Sequence, residues 1–143
     1  MKRLFFILLL IISFGINAQT EDCSGNYFFL IEGKDGHILD YKIQLNPDQT
    51  FVFTSFNRIV DIRGNHDTHQ KGKGTWKVEN KIIKFTTGVT DLNQDYTLNF
   101  SGTTARIVKK SPRDTSDKVI PTALQFYKSE IRTIENLKFL LKE

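Results

Sequence analysis

His66-Asp67-Thr68-His69 is the stretch whose side chains most readily suggest chemistry: two imidazoles and a carboxylate within four residues. Imidazole and carboxylate groups together ligate zinc or copper. A metal centre also needs a further ligand, for which His37 is the remaining histidine, and groups that orient the rings. On a helix the pair would share a face, whereas on a strand a spacing of three sends them to opposite sides. We therefore name His66, Asp67 and His69 as candidate ligands of a metal sensor. The expected reading is that they decorate a solvated loop, with no metal and no cofactor.

Nucleophilic chemistry has less to build on. The chain has no Gly-x-Ser-x-Gly elbow and no phosphate-binding glycine loop. Cys23 follows Asp22, which disfavours a thiolate, and we place it on a mobile terminus. The acid pairs Asp91/Asp95 and Asp114/Asp117 flank expected turns, where carboxylates shape backbone. We expect no enzyme and no catalytic residues. The candidates for binding are aromatic instead: Phe51, Phe53, Trp76, Phe85, Tyr96 and Phe100. They either line a cavity for a small apolar or amphipathic ligand or fill the interior, and their bulk favours a mostly filled core with a pocket at one mouth.

These residues need elements to hold them. Lys2 and Arg3 precede an apolar run from Leu4 to Phe14, and small residues lead to Ala18. That is the layout of a secretory signal peptide, residues 1–18. The run is short of the roughly 20 apolar residues a membrane helix needs, so the mature chain is expected to have no transmembrane segment. The destination is periplasmic or secreted. Lipid anchoring is not expected, because Thr20, Glu21 and Asp22 precede Cys23 where small apolar residues would be required. As the only cysteine, Cys23 allows no intrachain disulfide. Losing Lys2 and Arg3 lowers the formal charge from +4 to +2. The remaining cations alternate with acids, so no nucleic-acid stripe is present.

Residues 19–143 suit one domain. Gly25 to Ile31 reads as a strand apolar on both faces, as if covered on both sides. His37–Leu45 and Thr50–Phe56 alternate with period two around Asn46-Pro47-Asp48-Gln49, a turn in which Gln49 takes the place usual for a left-handed glycine. Gly74–Glu79 and Lys81–Thr87 form a second hairpin about Asn80. Asn57 to Gly72 is the least regular part: Ile59, Val60 and Ile62 extend the strand or start another, and Arg63 to Gly72, polar and rich in turn residues, reads as a long loop or mobile hairpin tip. Gln94–Ser101, Thr103–Lys109 and Thr122–Tyr127 read as further strands. The chain ends in a short helical turn over Ser129 to Glu135 and a closing strand over Leu137 to Leu141, with one C-terminal helix on the barrel mouth as the alternative. The class is all-β: a single antiparallel meander barrel of about eight or nine strands, with a two-sheet sandwich as the other arrangement.

Gly25-Asn-Tyr27, Leu45-Asn-Pro-Asp-Gln-Thr-Phe51 and Gly74-Thr-Trp76 together resemble the opening strand, hairpin and following strand of small exported lipocalin-like (calycin-type) β-barrel proteins of Bacteroidetes-type bacteria. Tyr27 stands where lipocalins proper favour Trp. The resemblance implies a barrel that binds a small apolar molecule. A second class of function is an envelope protein-interaction or stability module acting through loops, above all Asn57 to Gly72.

Overall fold

The computed structural model describes residues 22–143, so the expected signal peptide lies outside the described residues. Eight strands run in chain order: β1 (Gly25–Glu32), β2 (Ile38–Leu45), β3 (Thr50–Asp61), β4 (Gly64–Glu79), β5 (Ile82–Thr86), β6 (Thr104–Val108), β7 (Ala123–Lys128) and β8 (Lys138–Leu141). Each pairs antiparallel with the next, and β8 returns to β1 through Tyr27↔Leu141 and Phe28↔Leu140, closing an antiparallel meander barrel. Closure leaves no edge where the strands meet. Among the described residues no helix is long and apolar enough to cross a membrane.

Local chemistry fixes the turns. Asn46 N–H donates to Thr50 O (2.9 Å) and Gln49 N–H to Asn46 O (3.0 Å). The Asp48 carboxylate accepts from the Thr50 amide and hydroxyl, which holds its carboxyl below the usual range. Gln49 is left-handed at φ 67, as its position in the turn demands. Trp76 straps this turn to the barrel: its amide donates to Gln49 O (2.8 Å) and its indole N–H to Thr50 O (3.0 Å). Asn80 and Lys81, at φ 51 and 65, make the tight connection of the second hairpin, where both central residues take positive φ.

Alternation then sorts the side chains. Tyr41, Ile43, Leu45, Phe51, Phe53, Ile83, Phe85 and Phe126 point inward and are buried. Fully burying one such side chain contributes about 1.5–3 kcal/mol. After β7, successive turns run from Ile131 through Leu137 (Ile134 N–H to Ile131 O and Leu137 N–H to Ile134 O, both 3.1 Å). They bury Ile134 before β8 begins. The closing strand is as expected, here Lys138–Leu141, whereas the segment expected as a helical turn forms successive hydrogen-bonded turns and no helix.

Three expectations are corrected. Arg63 to Gly72 is not a long loop: β3 extends through Ile59 and Val60 to Asp61, β3 and β4 pair without interruption from Thr50↔Thr75 to Asp61↔Gly64, and only Ile62 and Arg63 connect them. Cross-strand partners hold this polar ribbon. Gln94–Ser101 is not a strand. β5 pairs directly with β6 through Ile83↔Ala105 and Lys84↔Thr104, so the segment between them has no place in the ladder. It passes through a 3₁₀ turn at Val89–Asp91 and lies on the β4 edge, where Thr97 and Leu98 N–H both donate to Lys71 O at 3.0 Å. Cys23 is not on a mobile terminus: it is buried with the core, and its carbonyl accepts from the Tyr27 hydroxyl at 2.9 Å.

Candidate binding surfaces

The aromatic candidates separate into three environments. Phe51, Phe53, Phe85 and Phe100 meet ring on ring inside the barrel. Phe100 lies 5.0 Å from Phe51, 5.1 Å from Phe53 and 6.0 Å from Phe85 between centroids. The packing continues through Phe126 to Phe139, 5.1 Å apart, and from Phe139 to Phe29 and Tyr41. A barrel of eight strands is just wide enough for side chains to fill, and these rings fill it. Ala105 leaves no gap: it is fully buried opposite Ile83 and Phe126. Trp76 belongs to the turn strap. Tyr96 is outside the barrel, half-buried, with Lys71 and Lys73 ammonium groups 5.9 and 4.6 Å from its ring centroid. The six residues therefore do not line one cavity.

The histidines are also apart. Both lie on β4 three residues from each other, hence on opposite faces. His66 Nε2 is 3.1 Å from Asp61 Oδ1, while the His69 ring packs on Phe56 at 4.9 Å. Asp67 holds the Arg58 guanidinium in a fork (2.8 and 2.7 Å), which keeps its carboxyl below the usual range. His37 Nε2 is 3.0 Å from Val60 O. Among the described residues no three His, Cys, Asp or Glu side chains converge as a metal set would.

What the structure does assemble lies on the outer face of β1, β2 and β3. The sequence makes β1 apolar on both sides. Inward Tyr27 is buried, but outward Phe28 is only half-buried and Leu30 is 49% exposed. Register places Phe28 beside Lys42 and Lys42 beside Thr54. Leu30 lies beside Asp40, and Val52 beside Gln44. A groove of about 570 Å³ runs over these residues, with Asn26 and Lys142 at one end. Lys42 Nζ is 2.8 Å from Asp40 Oδ2, so the Lys142 ammonium is the groove's other cation. The floor is apolar and the rim polar, the usual division in a small-molecule site. Sequence reasoning missed these residues as a site. The signal was present, because a strand apolar on both faces needs a partner on each.

No protein-family model matches the chain. No curated protein matches it, and no solved structure matches it.

Proposed function

We propose that the chain is an exported, non-enzymatic, lipocalin-like barrel that binds a small amphipathic molecule on its outer face. The observation that carries this reading is the apolar floor of Phe28, Leu30 and Val52 beside the Lys42–Asp40 pair and Lys142, on a barrel whose interior is already filled with phenylalanine rings. Apolar side chains gathered on a surface and rimmed by polar groups mark a binding site. The ligand class follows from the lining: a short alkyl or aromatic body on the floor, and one polar or anionic head at the lysine rim.

Export is part of the proposal and rests on the layout of residues 1–18. Mass spectrometry of the chain recovered from an expressing envelope tests it, with a new terminus at Gln19 as the expected result and retention of Met1 as the contrary one. Binding is tested by amide chemical-shift mapping with decanoate and with a neutral decyl glycoside. Shifts at Phe28, Leu30, Lys42 and Val52 that vanish in Leu30→Asp are expected. Shifts absent from these strands, or unchanged in that variant, would remove the groove as the site.

A further inference from the structure

We infer that the distal half of β4 is a strand-addition edge for a second copy of this chain, in an antiparallel register centred on Thr68. The ribbon formed by β3 and β4 extends past its neighbours. On the β3 side, β2 pairs as far as Ile38↔Arg58. On the β4 side, β5 begins pairing only at Thr75↔Thr86, and the nearest cover is Thr97 and Leu98 on the Lys71 carbonyl. From Gly64 to Gln70 the far edge of β4 therefore lies beyond the last described strand partner on that side.

The direction of its backbone groups follows from the pairing. Trp76 N–H donates to Gln49 O, on the β3 side. Along an antiparallel strand these groups alternate, so even-numbered residues of β4 aim at β3 and odd-numbered residues aim away. Two contacts agree: Lys71 O accepts from Thr97 and Leu98, and Lys73 O accepts from the Thr87 hydroxyl, all on the side away from β3. Asn65, Asp67 and His69 thus present N–H and C=O groups outward. Sheets guard such edges with proline, charged side chains, bulges or covering segments. From Gly64 to Gln70 there is no proline, the ladder with β3 has no bulge, and the one carboxylate, Asp67, is engaged by the Arg58 guanidinium.

The occupant follows from register. Two copies related by a two-fold axis meet antiparallel, and bonded pairs must join odd-numbered residues. Centring on Asp67 sets that carboxylate against its own copy. Centring on His69 requires the Lys71 carbonyl, which already accepts from Thr97 and Leu98. Centring on Thr68 sets Asp67 opposite His69 on both sides of the axis and Thr68 opposite itself. An imidazole N–H can donate to a facing carboxylate, and Thr–Thr pairs are favourable across strands. Asp67 keeps its negative charge because Arg58 holds the carboxyl below its usual range. Each copy then donates two backbone bonds, from Asp67 and from His69.

Sedimentation equilibrium on the exported chain, from about 10 μM to about 1 mM, spans the range where so few bonds produce association. Dimer is expected, with amide exchange at Asp67 and His69 slowing as concentration rises and exchange at Thr68, whose N–H faces β3, unchanged. His69→Pro deletes the outward donor in each copy, together with the imidazole on Phe56, and should weaken association at least roughly ten- to hundred-fold for two lost bonds. His69→Asp leaves the backbone intact while setting like charges across the axis, and should weaken it as well. A monomer throughout the range would overturn the inference. So would a dimer indifferent to both substitutions, whose Asp67 and His69 amides exchange as in the monomer.

Discussion

Phe100 occupies the space that any side chain at Gly72 would need: a Cβ built on Gly72 would stand 2.6 Å from the Phe100 ring. Phe100 cannot move aside easily. Its N–H donates to the Thr87 hydroxyl at 2.9 Å, that hydroxyl donates to Lys73 O at 3.1 Å, and its ring wedges between Phe51 and Phe53. Gly72 on β4 is thus the gate through which the β5–β6 connection inserts its one deeply buried ring. Gly72→Ala should destabilise by about 1–3 kcal/mol, as overpacking does, and Phe100→Ala by about 3–5 kcal/mol through the cavity it leaves. Urea unfolding followed by Trp76 fluorescence measures both. A neutral Gly72→Ala would show that the connection is not seated by this contact.

Gln49 carries the opposite kind of constraint. Its φ of 67 is imposed by the Asn46–Thr50 turn and fixed by Trp76 N–H on its carbonyl. An L-residue in that region costs about 1–2 kcal/mol that glycine avoids. Glycine also gains freedom in the unfolded chain, which offsets part of this. Gln49→Gly should therefore raise stability by a net amount of about 0.5–1 kcal/mol. Chemical denaturation checks it, and a lower midpoint would mean that the Gln49 side chain makes a contribution its geometry does not suggest.

The histidine pair makes a sharp prediction for metal. With His66 turned to Asp61 and His69 packed on Phe56 across the ribbon, neither ring can join the other on one ion without breaking β4 from β3. Calorimetry with zinc and with copper should show the same weak heats for the native chain and for the His66→Ala/His69→Ala variant. A tight site lost in that variant would revive the metal reading.

The barrel was legible from alternation, because Phe51 and Phe53 or Ile83 and Phe85 can share one face only if their segments are strands. Other features depended on partners distant in sequence. The stretch from Arg63 to Gly72 read as a loop or hairpin tip because its residues are polar and turn-rich. It is ordered by pairs that a linear reading does not weigh, Arg58 with Asp67 and Phe56 with His69. Conversely, Tyr96, Leu98 and Phe100 alternate well, yet no strand forms, since β5 has already taken β6 as neighbour. Of the aromatic candidates, inward direction was correctly expected for the buried phenylalanines. Whether they would enclose space or exclude it depended on Phe126 and Phe139 arriving from the far end of the chain.

Acid should loosen the β4–β5 end of the barrel through Glu79. Its carboxylate accepts from Lys77 at 2.8 Å and also from Lys84, and those bonds and charges bring its pKa from 4.5 down to about 2. A depressed pKa means that the folded state holds the ionised form more strongly than the unfolded state does. The stabilisation is therefore fully present above pH 4.5 and is lost as pH falls towards about 2, where the folded group takes up its proton. Glu79→Gln removes the titration while keeping the shape. Its melting temperature should lie below that of the native chain at pH 7, and the difference should close between about pH 4.5 and pH 2. High salt should narrow the gap at pH 7, because the three side chains are partly exposed and their charges are screened. A difference that stayed constant down to pH 2 would place the effect in packing of the side chain instead of its charge.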